Sequence, residues 1–323
     1  MCIIPAYIIA KYRIVTYKHK LACSLQYNID VKVFYPSNFT KERVLKMLDI
    51  DLLNKKCNYI RKLIVNQIGE LGVGHIGGSL SIVETLVYLY YYAMKIDPKN
   101  PDMEGRDRFV LSKGHAGPAL YAVLADRGYF SVDELNTLNK SGTNLPSHCD
   151  MLKTKGVDMT TGSLGQGLSC AVGMALGSKI KSDGAYVYCL VGDGEVQEGQ
   201  IWEAAMAAGH YKLNRLIAFL DYNKMQISGT IEEIMDIEPI VDKWESFNWN
   251  VYRIDGHNIE DIHESVMEAK KSKDKPTMVI LDTIKGKGVS FAEKAKVLSH
   301  SMTITDEMRK EAIKELESKE DNI

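Results

Sequence analysis

Cysteine is sparse in this chain and forms no pattern. The six cysteines among 323 residues are Cys2, Cys23, Cys57, Cys149, Cys170 and Cys189. They make no Cys-x-x-Cys pair and no Cys/His cluster at zinc spacing, which sets aside a structural zinc site and a disulfide scaffold. Cys170 and Cys189 lie in apolar runs and read as small core residues of a protein from a reducing, cytoplasmic compartment. Long hydrophobic runs are missing too. The apolar stretch CIIPAYIIA at residues 2–10 contains a proline and has no basic segment before it. It is shorter than the ~20 residues that span a bilayer, so neither a membrane helix nor a signal peptide is expected. Charge of one sign is also lacking. Forty Lys and Arg against 42 Asp and Glu leave a net of −2. No bulk field points to nucleic acid or a membrane as partner. There is no internal repeat and no low-complexity linker.

What remains is 45% apolar and 25% charged, the balance of a soluble globular protein with a substantial core. The charge is unevenly placed. Residues 1–46 carry eight Lys and Arg against two acids, a net of +6, which leaves −8 on the remainder. This segment is rich in Tyr, Lys and Ile without a sustained period, and FYPSNFT at residues 34–40 breaks any helix. It reads as a peripheral basic extension, or sequence ahead of a start at Met47, or an ordinary N-terminal arm. Residues 47–323 read as the folded domain.

The pattern changes after Asp49. Leu52, Leu53, Tyr59, Ile60, Leu63, Ile64 and Ile68 fall at helical spacing. After the break GVGHIGGS, residues 81–94 (SIVETLVYLYYYAM) predict a second, apolar helix. Short apolar runs then alternate with helical segments: RFVL, YVYCLV, LIAFL, NVYRID and PTMVILD are the strands. Such alternation predicts an α/β fold with a mostly parallel sheet and helices on both faces. The tail MRKEAIKELESKE predicts one charged surface helix.

In such a sheet, ligands bind beyond the carboxyl ends of the strands. Asp193 follows one buried run and Asn223 follows the next, 30 residues on. One crossover of that length puts both at the same sheet edge. A carboxylate, an amide oxygen and a backbone carbonyl make a hard oxygen set suited to Mg²⁺ when a diphosphate completes it. Gly192 and Gly194 allow close approach of phosphate, and the helix beginning near Val196 aims its N–H groups there. GVGHIG at residues 72–77 matches a dinucleotide fingerprint, but a helix rather than a strand precedes it. His75, His115 and His148 sit in glycine or turn contexts, and His300 is a fourth such candidate. Imidazoles there can bind phosphate, stabilise an oxyanion or shuttle protons. His210 and His257 read as packing or turn residues, and His19 and His263 have no such context.

GHIGGSLS, RDRFVLSKGHAGPALYA, TTGSLGQGLS, GDGEVQEGQIWEAA, DYNKMQISG and KPTMVILDTIKGKGVSFAE follow one another across residues 50–315. In this order and spacing the chain resembles the transketolase family. More narrowly, it resembles the N-terminal, diphosphate-binding subunit of a two-gene transketolase. GDG followed by Asn after 28 intervening residues is that family's thiamine diphosphate signature.

The resemblance implies a thiamin diphosphate-binding fold and places the cofactors. Asp193, Asn223 and the carbonyl of Met225 would hold Mg²⁺, with Ca²⁺ or Mn²⁺ as substitutes. Gly194 would offer its N–H to the diphosphate, and His115 would contact the cofactor. Gly162, Ser163 and Leu164 would pass beside its rings. His75 and His148 would face the substrate. Glu198 would link two cofactor sites across a dimer, unless it is only a carboxylate satisfied by a helix start.

The implied activity is transfer of a two-carbon ketol unit from a ketose phosphate to an aldose phosphate, with the cofactor as electron sink. The family's activating glutamate and its sugar-phosphate arginines belong to a domain not found here. A C-terminal partner subunit would supply them, in an α₂β₂ assembly, and the bare subunit would expose apolar surface. The family's WHG block reads LSHSMT, which leaves His300 its histidine but not its surroundings, in contact with cofactor and substrate. That change opens the choice of ketose beyond those of the pentose phosphate pathway. The alternatives are a 1-deoxyxylulose-5-phosphate synthase, a subunit of an oxo-acid dehydrogenase, or a non-catalytic cofactor-binding subunit. QEGQIWEAAMAAGH and KGKGVSFAE fit the first two poorly. Intact Asp193, Asn223 and loop histidines argue against the third.

Overall fold

A computed structural model describes residues 48–320, so the basic segment 1–46 lies outside the described residues. The first periodic stretch forms α1 (Ile50–Leu71). Asp49 caps it by accepting the Leu52 N–H at 2.9 Å, and Gly72 ends it at φ +86°, a conformation natural to glycine. β1 (Val73–Gly74), α2 (Ile76–Leu80) and α3 (Val83–Tyr88) follow. The helix expected over residues 81–94 is shorter than its apolar run. It widens into a π-turn at Leu89–Ala93, and Met94 is extended. Tyrosines at successive positions carry apolarity without a helical stripe, so packing decides where the helix ends.

The remaining elements alternate. They are β2 (Arg108–Leu111), α4 (Gly117–Asp126), α5 (Gln166–Lys181), β3 (Val187–Gly192), α6 (Gly199–His210) and β4 (Leu216–Tyr222). Then come α7 (Ile231–Ile234), α8 (Ile240–Ser246), β5 (Asn250–Asp255), α9 (Ile259–Ala269) and β6 (Thr277–Asp282). The chain closes with α10 (Ser290–Ala295), β7 (Met302–Thr303) and α11 (Asp306–Glu320). The main sheet has order β2-β3-β4-β6-β5 with every pairing parallel. β1 and β7 form a separate antiparallel ribbon.

Side chains alternate across the sheet, and both faces are buried. Tyr188, Leu190, Ile217, Phe219, Val279 and Leu281 face a layer containing α1, α3, α4, α9 and α11. Val187, Cys189, Val191, Ala218, Leu220 and Ile280 face the layer of α5, α6 and α8. This double burial is why the strands read as unbroken apolar runs. Each fully buried Leu or Ile contributes about 1.5–3 kcal/mol. The tail helix is not purely a surface element. Ala312 and Leu316 of α11 are buried, and Asn58 of α1 donates to the Leu316 carbonyl at 2.8 Å. Cys170 is half-buried rather than core, whereas Cys189 is fully buried. No helix among the described residues is long and apolar enough to cross a membrane.

Because the five strands run parallel, their carboxyl ends share one edge. Residues 112–115, 193–198, 223–228 and 283–288 leave the sheet there. One of these loops is tied to the helical layer by a buried charge network of Arg61, Glu84 and His257. Burial pushes the Glu84 carboxyl up, and Arg61 and His257 outweigh it and hold it down to about 2. A carboxylate depressed on folding contributes stability above its unfolded value. That contribution is present at neutral pH and is lost as pH falls from about 4.3 toward about 2. Acid titration of urea unfolding should therefore show a stability loss over this window that the Glu84→Gln variant lacks.

Candidate active site

The shared edge is organised around a buried ion pair. Asp221, the next-to-last residue of β4, is 0% exposed, and Lys113 is 2% exposed. Lys113 Nζ donates to Asp221 Oδ2 at 2.6 Å and to the Gly78 carbonyl at 2.8 Å. Asp221 also accepts from Ser81 Oγ, Thr283 Oγ1 and Asn223 Nδ2. Burial pushes its carboxyl up, but Lys113 and these hydroxyls outweigh that and keep it below the usual carboxylate range. One carboxylate thereby gathers the loops after β2, β4 and β6 and the short helix α2 that contains Gly78.

A second buried carboxylate joins the remaining loops. Glu195 accepts from Ser112 Oγ, from the Gly165 N–H at 2.9 Å and from the Gly192 N–H at 2.9 Å. Burial raises its pKa against these hydrogen bonds. The TGSLGQG turn is thus pinned to the GDG tip. Gly162 sits in it at φ +152°, and an added Cβ would press within 3.3 Å of His148. Glycine at this point lets the turn lie against that histidine.

Asp193 follows β3 and Asn223 follows β4, on paired neighbouring strands as the spacing predicts. Asp193 is 3% exposed; its oxygens accept the Gly194 N–H at 2.8 Å and the Lys224 N–H at 2.6 Å. Burial and Asp221 push its carboxyl up to about 7, with Lys285 opposing. Asn223 turns its amide nitrogen to Asp221 and its oxygen to the Met225 N–H at 3.1 Å. The Met225 carbonyl accepts from Lys285 Nζ at 3.0 Å. Burial and Lys113 lower the Lys285 pKa to about 8, against Asp193 and Asp221. The Lys285 ammonium is a positive charge seated on the Met225 carbonyl beside a destabilised carboxylate. A divalent cation suits this donor set. Among the described residues no group of three His, Cys, Asp or Glu could hold a metal alone. A cation bound here would complete its shell with water or with oxygens of a second ligand such as a diphosphate.

Four imidazoles gather above this point. His75 lies 5.5 Å from His115, 5.6 Å from His148 and 5.4 Å from His300 between ring centroids. His115 and His300 are 4.8 Å apart. Burial lowers the pKa of all four, helped at His75, His115 and His300 by Lys285 and by neighbouring rings. His300 is lowered to about 4. The cluster is neutral at physiological pH. Neutral imidazoles can each offer one N–H and one lone pair to sugar oxygens. His148 is the exposed member, and the other three are half-buried.

A cavity of about 230 Å³ opens between these groups, lined by Asp193, Asn223, Met225, His115, His300 and Lys285 among others. Leu164 and Ile227 give it apolar surface. A larger groove of about 560 Å³ lies between α1 and α11, but it holds none of this chemistry. Gly194 lines the smaller cavity, although its N–H is turned to the Asp193 carboxylate. Ser163 is exposed on the turn. Glu198 is exposed at the N-cap of α6 and makes no capping hydrogen bond with its side chain. Lys113, Glu195, Asp221 and Lys285 are absent from the sequence-based candidates. Asp221 had a visible signal, an acid inside the buried run LIAFLDY. Lys113 stood beside the histidine motif as SKGH.

The family profile described as Transketolase, thiamine diphosphate binding domain, matches residues 53–319. The chain belongs to the transketolase family, through its thiamine diphosphate binding domain. The 6-deoxy-6-sulfo-D-fructose transketolase subunit of Clostridium sp. (strain MSTE9) is 58% identical, over 82% of this chain and 96% of that protein. An apulose-4-phosphate transketolase subunit of Phocaeicola vulgatus is 39% identical, over 83% and 95%. The crystal structure of transketolase from Campylobacter jejuni superposes with a TM-score of 0.78 at 32% identity, covering 85% of this chain but 43% of that one. The chain therefore spans less than half of the solved transketolases it matches.

Removing one partner of a buried ion pair leaves an uncompensated charge and costs about 3–5 kcal/mol. Lys113→Met should lower urea stability by about that amount at neutral pH, and Lys113→Met combined with Asp221→Leu should recover most of it.

Proposed function

We propose that this chain is the thiamine diphosphate-binding subunit of a two-subunit transketolase that transfers a two-carbon ketol unit from a ketose to an aldose phosphate, with Mg²⁺ as its metal. The observation that carries this reading is the meeting of Asp193, Asn223 and the Met225 carbonyl beneath four neutral imidazoles. Thiamine diphosphate, when bound, supplies an electron sink for breaking the carbon–carbon bond beside a carbonyl.

The chain's own residues do the rest. Asp193, Asn223 and Met225 hold the cation. Lys285, Gly194 and His115 serve the diphosphate end, with Leu164 beside the rings. His75, His148 and His300 bind sugar oxygens and take or return protons, and their neutral state lets them act in either sense. Glu198, free of any capping bond, is the candidate link to a second cofactor site.

The near-full coverage of the sulfofructose relative, against less than half of the full-length enzymes, supports a separate partner that carries the pyrimidine-binding part. Ile227 lines the cavity at 68% exposed, and Ile284 and Leu298, beside the lining residue Lys285 and two residues before the lining residue His300, are 46% and 72% exposed; all three suit such a partner. An α₂β₂ complex in the cytoplasm follows from this reading. The donor we favour is a 6-deoxy-6-sulfo ketose, on the strength of the 58% relative.

The test uses the chain with the subunit that co-purifies from its host, with thiamine diphosphate and Mg²⁺. It compares 6-deoxy-6-sulfo-D-fructose with fructose 6-phosphate and xylulose 5-phosphate as donors to ribose 5-phosphate. Preferred consumption of the sulfonated donor, only with both subunits, is the expected result. Preference for xylulose 5-phosphate corrects the donor, and activity of the chain alone removes the need for a partner. Asp193→Ala should abolish the Mg²⁺ dependence of thiamine diphosphate binding in calorimetry, and undiminished affinity would remove Asp193 from the metal site.

A further inference from the structure

The loop that carries Lys285 into the cavity lacks regular structure of its own. Residues 284–288 (Ile284, Lys285, Gly286, Lys287 and Gly288) follow β6, with Gly286 and Gly288 at φ +85° and +89°. Such a loop keeps one shape only if its backbone groups are tied down. The Ile284 N–H donates to His257 Nε2 at 2.8 Å. The Gly286 N–H donates to the Gly77 carbonyl at 3.0 Å. Arg61 Nε donates to the Lys287 carbonyl at 3.0 Å, and the Gly288 N–H to Glu293 Oε1 at 2.7 Å.

The ties at Ile284 and Lys287 come from one network. Glu84 accepts from Arg61 Nη2 through Oε1 and faces His257 Nδ1 at 3.1 Å through Oε2. His257 Nε2 accepts the Ile284 N–H, which leaves Nδ1 to donate to Glu84. Glu84 thus fixes the tautomer of one arm and the place of the other. It is the single charged residue in the apolar stretch 81–94. The side chains of Arg61, Glu84 and His257 are 8%, 7% and 9% exposed. Arg61 also packs against Gly288, where an added Cβ would come within 2.8 Å of its Cδ and Nε. None of the three lines the cavity.

We infer that Arg61, Glu84 and His257 are positioning residues that clamp the 284–288 loop on both sides of Lys285 and so set its ammonium group at the phosphate-and-metal end of the cavity. The inference rests on reading that cavity as the thiamine diphosphate site. The hydrogen bonds of Arg61 and His257 to this loop are the network's direct ties toward the site. A merely structural role would lower stability and leave cofactor affinity where it was.

The experiment uses the full chain with its co-purified subunit. Thiamine diphosphate with Mg²⁺ is titrated calorimetrically into wild type, His257→Ala, Lys285→Ala and the double variant, and amide exchange is followed in the cofactor-free chain. Losing one buried hydrogen bond should weaken thiamine diphosphate by roughly 3- to 10-fold in His257→Ala. Exchange should quicken within residues 284–288. The double variant should bind no more weakly than Lys285→Ala alone, since the clamp acts through that lysine. His257→Gln, which keeps a donor and an acceptor, should recover affinity. Additive losses, unchanged affinity in folded His257→Ala, or unchanged exchange at 284–288 would each overturn the clamp. If His257→Ala does not fold, Arg61→Lys keeps the charge beside Glu84 but loses a donor, and the same readouts decide. A wild-type complex that binds no thiamine diphosphate would overturn the site reading, and the clamp with it.

Discussion

A carboxylate at the buried end of a central strand cannot remain charged without partners, and Asp221 has four. Lys113, Ser81, Thr283 and Asn223 reach it from four separate segments. The cost of taking a charge out of water makes these contacts mandatory rather than decorative. Every loop that meets Asp221 is held in register with the others. The sheet brings the loops to one edge, and this single charge fixes how they sit there.

Glu195 repeats the device one strand away, joining the GDG tip to the TGSLGQG turn through two backbone N–H groups. Asp193, at the same tip, is pushed up as Glu195 is, whereas Asp221 is held down. Asp221 is stabilised as an anion by its neighbours, whereas Asp193 is destabilised as one. Lys285 answers part of that demand from the 284–288 loop. The imidazoles contribute little charge of their own, so the positive end of the cavity belongs to Lys113 and Lys285.

Much of the fold was legible because burial on both faces writes itself into the strands as apolar runs. The helix α1 announced itself by period and by Asp49 and Gly72 at its ends. The apolar run 81–94 overstated its helix, since tyrosines at consecutive positions carry no face. The tail was read as surface because its four apolar positions, Met308, Ala312, Ile313 and Leu316, stand among many charges. In the site, Asp193 stood out through its flanking glycines, Asn223 through its spacing from Asp193, and the histidines through glycine or turn contexts. Lys113, Asp221, Glu84 and His257 did not, because a pairing between residues far apart in sequence leaves no local spacing to read. His257 passed for a turn residue although its ring holds the backbone of another loop.

The short ribbon of β1 and β7 has a temporal consequence. It pairs Val73 with Thr303 and brings His75 against His300, 225 residues further along the chain. Contacts of such separation carry a high loop-closure entropy and form late. The imidazole cluster cannot close until almost the whole domain has left the ribosome. The GDG tip, ending at Gly194, is synthesised 106 residues before His300, so the tip precedes the complete imidazole cluster.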